Sequence, residues 1–595
     1  MSAFAGLDEG TSMNIGAATW GKAIGLAAAL VAAYVTMAGA SSLWDRDEPR
    51  YARASVEMLE GGDWLVPTFN SEPRLRKPPL IYWVMAGSIA AIGKGEVAAR
   101  LPSAVGMAGA ALLTFWIGVR LFNRRVGWWA MWMFGTSALA IYMGAAAMTD
   151  GVLMLFIVGA IAVFVDRATG RPRRWHWPAF AALMALGQLT KGPVGLATPA
   201  LTVLAAAWWG RGAITMGRNW GWKLAGAGAA SVGGLLLWGV PANLATDGAL
   251  ARIGVGEHVI HRIFNPMEGH GGSGALGYLA ALPLYIPVII GLFFPWTLLL
   301  PGGVRAMLGR RLGGPAARAI LWGWILPTFL MMSLVATKLP HYILPIFPAL
   351  AIVSAAALDR RLKMAGDRAA ADARDAAAAT GQGDTGPAAL SARDRDWLRG
   401  GVWFFGPVAG GVVAALGAAP WALGLGLDGW PMWATAAVVA GVAVVAIAWQ
   451  LRERVGRAAA LAAVATPLVM VGGAWAIMPG VEAKLKPSPA LAEAARSVVG
   501  RQGPVYVAGS VEEDSLVFYL DLRHDAALRR LEDPRRIAAW ASRAEPGALV
   551  ITEPYLRRVE REVGELDVEV LERRSVVNYS SSGKRQVVMV VVNKG

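Results

Sequence analysis

The sequence predicts a mainly α-helical protein that crosses a membrane many times and ends in a small α/β domain. Three observations predict it. Only 16% of the 595 residues are charged and 55% are hydrophobic, whereas a soluble globular chain carries about 25% charged residues. Apolar runs of roughly 18 residues, long enough to cross a bilayer, recur as far as residue 478. Beyond residue 480 the runs become short and β-branched, as in "PVYVAG", "GALVIT" and "RQVVMVVVN". The net charge of +15 is therefore a topology signal and no sign of nucleic acid, because Lys and Arg gather in cytoplasmic loops. The chain has no Cys, which excludes disulfides and thiolate metal sites.

The elements follow in order. Apolar spans are expected near 22–42, 99–120, 127–146, 151–166, 177–190, 193–209, 222–241, 277–301, 319–336, 342–358, 401–421, 432–450 and 458–478, about thirteen in all. Basic clusters at Arg120/Arg124/Arg125, Arg167/Arg171/Arg173/Arg174, Arg211/Arg218/Lys223, Arg305/Arg310/Arg311/Arg318, Arg360/Arg361/Lys363 and Arg452/Arg454/Arg457 fall on one side if these spans alternate, and that side is cytoplasmic. The run "PPLIYWVMAGSIAAIG", 78–93, holds fewer apolar residues than the roughly 17 a spanning helix needs. It is read as a helix lying on the outer surface of the membrane. The outer loops are then 43–98 and 242–276, and the transmembrane domain covers 1–479. Residues 359–399, rich in Ala, Asp and Arg, read as a flexible cytoplasmic linker. Residues 480–595 read as a periplasmic α/β domain of ordinary size.

This alternation gathers scarce charges on the outer face. Asp47 and Glu48 lie in the first outer loop; Asp150 opens a span; Lys191 sits at a turn in "LTKGPVG"; Lys338, His341 and Tyr342 sit in "TKLPHYILP"; Glu257, His258, His261 and Arg262 lie in the second outer loop. Each has a plain structural reading: an N-cap for Asp150, a snorkelling amine for Lys191, favourable dipole placement for Asp47 and Glu48. Their convergence at one depth favours a functional site, because ionisable groups near a bilayer are costly. A positioned carboxylate, for which Asp47, Glu48 and Asp150 are the catalytic candidates, can take a proton from an attacking hydroxyl. Lys and Arg can hold a phosphate and stabilise it as it leaves. Together they fit group transfer from a lipid-linked phosphate. A divalent metal, if one is used, would sit at Glu257, His258 and His261, although paired loop histidines are more often surface residues.

The stretches "LWDRDEPRYA", "RKPPLIYW", "RLPSA", "MTDG", "LTKGPV" and "KLPHYILPIFPAL" resemble, in order and spacing, the lipid A aminoarabinose transferases and the wider family of bacterial protein-O-mannosyltransferase-like enzymes. The resemblance implies a GT-C fold, a polyprenyl-phosphate sugar donor and an active site on the periplasmic face of the inner membrane. It implies Asp47 as base, with Asp150 as the second acidic residue. Arg50, Lys77, Lys191 and Tyr342 would hold the donor phosphate, with Arg262 nearby, and Tyr51, Arg53, Arg76, Lys338 and His341 could contact sugar or acceptor. Two departures stand out: Arg76-Lys77-Pro78 where the aminoarabinose enzymes read E-K-P, and Tyr51-Ala52-Arg53 where they read Y-A-E. Each puts a base in place of an acid, which suits a neutral or uronic sugar better than a cationic amino sugar. The expected protein is a monomer among inner-membrane lipids that transfers a sugar, with inversion, to lipid A or another envelope glycolipid. A protein or O-antigen acceptor is the near rival. A lipid-linked sugar transporter is the distant one, since it would need internal repeats and midplane charges.

Overall fold

A computed structural model describes residues 15–170, 172–266, 274–380 and most of 480–593, with isolated positions from 472 onward. The expected spans at 401–421, 432–450 and 458–478, and the linker beyond 380, lie outside the described residues. Ten helices lead through the first half: α1 (Ala17–Ala38), α2 (Asp47–Gly61), α3 (Leu80–Ile92), α4 (Glu96–Leu121), α5 (Arg124–Gly135), α6 (Ala138–Gly144), α7 (Thr149–Thr169), α8 (His176–Lys191), α9 (Val194–Trp209) and α10 (Trp220–Ala245). A π-helical stretch, Leu250–His261, runs into α11 (Arg262–Phe264), followed by α12 (Gly274–Ala281), α13 (Tyr285–Leu292), α14 (Leu300–Leu308), α15 (Pro315–Leu334) and α16 (Phe347–Thr380). Among the described residues seven helical segments are long and apolar enough to cross a membrane: α1, α4, α7, α10, Gly274–Leu292, α15 and Pro340–Met364.

Three sequence expectations change. The span at 127–146 is two helices, because Gly135-Thr136-Ser137 ends α5; the Thr136 hydroxyl turns back to the carbonyl of Trp132 and accepts a hydrogen bond from the Trp296 indole. Short hydroxyl side chains compete with helical backbone in this way. The span at 277–301 is divided among α12, α13, α14 and 3-10 turns, since Pro283 and Pro295 each remove a backbone donor at a break. Residues 359–380, expected to be flexible, continue α16. Their alanine content favours helix.

Small residues bring the helices together. A Cβ on Gly151 would lie 2.7 Å from the Cα of Ser103, so α4 and α7 touch backbone to backbone, the usual device where lipid supplies no hydrophobic drive. That contact fixes the neighbouring Asp150. Helix α3 has 13 residues and is about 20 Å long at 1.5 Å per residue, short of the roughly 30 Å hydrocarbon layer.

Between α2 and α3 a hairpin of β1 (Thr68–Phe69) and β2 (Glu72–Pro73) turns on Asn70 and Ser71, both at positive φ, 56° and 66°. That is the twist a tight hairpin requires.

The C-terminal region is a five-stranded mixed sheet in the order β4-β3-β5-β7-β6, built from β3 (Val505–Ala508), β4 (Arg529–Arg530), β5 (Ala548–Thr552), β6 (Val568–Val577) and β7 (Arg585–Asn593). Strands β3, β4 and β5 are parallel; β5, β7 and β6 are antiparallel. Helices α17 (Ser488–Val499) and α18 (Asp514–Leu520) cover one face, while α19 (Pro534–Ala541) and α20 (Glu553–Val563) cover the other. With both faces covered, β3 and β5 are buried along their whole length, which is why they read as unbroken apolar runs.

Candidate active site

A cavity of about 440 Å³ opens at one end of the bundle, where α2, the loop after β2, the starts of α7 and of the Pro340–Ile346 turn, and the end of α8 converge. The opposite end of α7 carries Arg167 and that of α4 carries Arg120. Of the residues singled out from the sequence, Asp47, Glu48, Arg50, Tyr51, Arg76, Lys77, Asp150, Lys191, His258, Arg262, His341 and Tyr342 line the cavity. Arg53, Lys338, Glu257 and His261 do not.

Asp47 begins α2, and its carboxylate is exposed to the cavity with no hydrogen-bond or ion-pair partner among the described residues. Its neighbour Glu48 turns inward. Arg100 donates to it from Nε at 3.0 Å and from Nη2 at 2.6 Å, and the backbone amides of Trp44 and Ala147 donate at 2.8 and 2.5 Å. Burial alone would raise the Glu48 pKa. The Arg100 charge and these hydrogen bonds outweigh it and hold the carboxyl below the usual range. A carboxylate so fully occupied is a strut: the expectation that Glu48 takes part in the chemistry gives way to a structural role. Arg100, from "RLPSA", also donates to the carbonyls of Ala38, Ser41 and Ser42. It thereby ties the end of α1 to the start of α2.

Asp150 is buried in the first turn of α7 and accepts from Lys191 Nζ at 2.7 Å on both oxygens; His341 Nε2 lies 3.8 Å away. The Lys191 ammonium also sits 4.8 Å from the centre of the Tyr342 ring, a cation–π contact. Lys77 is half-buried and has no acidic partner among the described residues. Burial, then the positive charges of Lys191 and Arg262, push its amine down to about 8. Arg262 Nε is also without a partner among the described residues. Arg50 reaches Asp514 of α18 at 2.9 Å.

Arg53, expected near the sugar, is 2% exposed and faces away from the cavity. Its Nε donates to Glu57 at 2.8 Å and its Nη2 to the Leu522 carbonyl at 2.8 Å. Glu57 in turn accepts from Thr68 Oγ1 and from the amides of Asn70 and Ser71. Arg53 thus clamps the hairpin that delivers Arg76 and Lys77. Arg53 stands six residues after Asp47 and four before Glu57 on α2, and helical period alone cannot tell a residue facing a ligand from one facing the next domain. Lys338 is buried elsewhere and donates to the carbonyls of Ser333 and Val335, closing the end of α15. Among the described residues no group of three potential metal ligands converges; His258 faces the cavity, Glu257 is exposed, and His261 lies beside Asn265.

Sequence reasoning missed Arg74 and Tyr142, both in the cavity lining. The signal for Arg74 was present: "PRLRKPP" sets three bases within four residues before the paired prolines.

This architecture, a helical membrane bundle with a polar cavity at one end and an α/β domain beside it, is the GT-C type of fold. ArnT from Cupriavidus metallidurans bound to undecaprenyl phosphate shares the fold with a TM-score of 0.71 at 20% identity, over 96% of this chain and 98% of that one. Residues 22–243 match the family model described as dolichyl-phosphate-mannose-protein mannosyltransferase. The chain is similar to the undecaprenyl phosphate-alpha-4-amino-4-deoxy-L-arabinose arabinosyl transferase of Pectobacterium carotovorum, 33% identical over 53% of this chain and 55% of that one. It is likewise similar to a second such transferase from Sodalis glossinidius, 32% identical over 56% and 58%. The chain thus spans a little over half the length of the curated relatives it matches. The resemblance read from the motifs is the one these comparisons return.

Proposed function

We propose that this chain is a membrane glycosyltransferase that moves a sugar from a polyprenyl phosphate to lipid A or a related envelope glycolipid, with its cavity on the periplasmic side of the inner membrane. The observation that carries the proposal is the placement of Asp47: an unpartnered carboxylate facing a cavity that Lys77, Arg262 and the Lys191–Asp150 pair also line. Proteins similar to it are named for transfer from undecaprenyl phosphate, and the ArnT of like fold binds that lipid.

In the proposed reaction Lys77 and Arg262 hold the donor phosphate, and Lys191, fixed by Asp150 and the Tyr342 ring, adds a third positive charge. The acceptor oxygen attacks the anomeric carbon, the bond from that carbon to the phosphate oxygen breaks, and its electron pair leaves with the polyprenyl phosphate. A hydroxyl acceptor gives its proton to Asp47; a phosphate acceptor has none to give and is only aligned there. Direct displacement inverts the anomeric carbon. Purified protein with a labelled donor and lipid acceptor tests the reading. Asp47→Asn should lower transfer about a hundredfold or more while leaving the thermal midpoint in detergent unchanged. Near-normal transfer by the folded variant would remove Asp47 from the role.

A further inference from the structure

Beyond the phosphate, the cavity holds more positive charge than a donor phosphate can neutralise. Arg50 is paired with Asp514 and Lys191 with Asp150. Among the described residues this leaves Arg74, Arg76, Lys77 and Arg262 without carboxylate partners, against Asp47; Asp45 and Arg46, which also line the cavity, add one charge of each sign. A sugar esterified to a polyprenyl phosphate carries one negative charge on its phosphodiester.

The cations fall into two groups that share Asp47 as an electrostatic neighbour. Lys77 has Lys191 and Arg262 as its electrostatic neighbours, together with Asp47 and Asp150. Arg74 has Tyr82, Tyr51 and Asp47. Arg74 is 8% exposed. Its Nε donates to the Tyr82 hydroxyl at 3.0 Å, and its guanidinium lies 5.3 Å from the centre of the Tyr51 ring. The two Nη atoms have no protein acceptor among the described residues. A buried guanidinium without an acid is rare, because the charge is expensive to desolvate unless something pairs with it. Its planar fork matches a carboxylate in bidentate fashion.

The geometry points to Arg74, with the exposed Arg76 at its side, as the subsite for a carboxylate on the donor sugar: the donor is a polyprenyl-phosphate hexuronic acid. This rests on the transferase reading above and adds the substrate class to it. Tyr51 and Tyr82 orient the fork, and the phosphate stays with Lys77 and Arg262. A neutral sugar would leave the Arg74 charge unmatched, and a cationic amino sugar would meet like charge.

The test is a competition. Purified full-length protein receives equal amounts of undecaprenyl phosphate carrying galacturonic acid, galactose or 4-amino-4-deoxyarabinose, with lipid A as acceptor, and consumption of each donor is followed. The uronic donor should be consumed at least about tenfold faster than the other two, the scale of one charged hydrogen-bonded contact. In Arg74→Gln the ratio of uronic to neutral consumption should fall by roughly 10- to 100-fold. Arg74→Lys should recover part of that ratio, since it keeps the charge and loses the fork. Equal or preferred use of galactose or of the amino sugar by the unaltered protein overturns the inference and leaves the transferase reading standing. An unchanged ratio in a folded Arg74→Gln protein also overturns it. Consumption of no donor at all defeats the transferase reading, and the inference with it.

Discussion

Lys77 shows what a single residue contributes. Burial and two cationic neighbours bring its amine down to about 8, while a bound phosphate would raise it again, because opposite charge favours the charged form. The consequence has a definite sign. Below pH 8 the amine is already protonated, so donor affinity should be flat. Above pH 8 binding must recruit a proton, and affinity should fall by up to tenfold per pH unit until the pKa of the complex is reached. A glycosyl phosphodiester is the right probe, since its phosphate does not titrate in this range. Titration between pH 7 and 9.5 should show the decline together with proton uptake, and Lys77→Arg should flatten it. Constant affinity across that range would mean that Lys77 does not meet the phosphate. At this scale the sequence carried much of the site: Asp47, Lys77, Asp150, Lys191 and Tyr342 could all be picked out because scarce charges in an apolar chain are conspicuous. Glu48 and Arg53 could not be sorted the same way. Both neighbour cavity residues on α2, and only packing decides that the Glu48 carboxylate is spent on Arg100 and that Arg53 turns out to Leu522.

At the scale of elements, α2 holds three things in register: the cavity through Asp47, the β1–β2 hairpin through Glu57, and the C-terminal domain through Arg53. The domain reaches back, with Asp45 accepting from the amide and hydroxyl of Ser515 at 2.8 and 2.6 Å and Asn70 exchanging hydrogen bonds with Leu528 at 2.9 and 2.8 Å. Arg53 and Glu57 form a buried ion pair. Removing one partner of such a pair leaves an uncompensated charge and costs about 3–5 kcal/mol. Arg53→Ala should therefore lower the thermal midpoint sharply and expose the hairpin to proteolysis between Val66 and Arg76. Arg53→Glu should do so as well, for a reason unrelated to sugar choice. A variant as stable as the parent, with an intact hairpin, would show that α2 does not organise the loop. The helices themselves were legible from apolar periodicity. Their interruptions at Thr136 and at Pro283 and Pro295 were not, because a hydropathy run counts apolar residues and does not ask where the backbone donors go.

Taken as a whole molecule, the fold sets a parity. The start of α2 and the C-terminal domain are hydrogen-bonded to each other, so both must lie on the same side of the membrane. Helix α3 is too short to cross. From α4 the chain leaves that side and returns through α5 and α6, whose end places Ala147 against Glu48. It leaves through α7, returns through α8 to Lys191, leaves through α9, and returns through α10 to Trp238, which donates to the Leu65 carbonyl. The stretch from α12 to α14 leaves again, α15 returns to Lys338, and α16 leaves. Among the described residues the chain therefore ends on the side opposite the cavity. The apolar runs at 401–421, 432–450 and 458–478, expected from the sequence as spans and outside the described residues, are odd in number, as a return to the side of α2 requires. Net positive charge agrees, since the ends of α4 and α7 away from the cavity carry Arg120 and Arg167, the arrangement cytoplasmic loops favour. Reporter fusions decide the matter. One placed after Gly95 should read periplasmic, one in 381–399 cytoplasmic, and one after Val499 periplasmic again. A cytoplasmic signal after Gly95 would make α3 a span, and a shared side for the first two fusions would break the parity on which the cavity's placement depends.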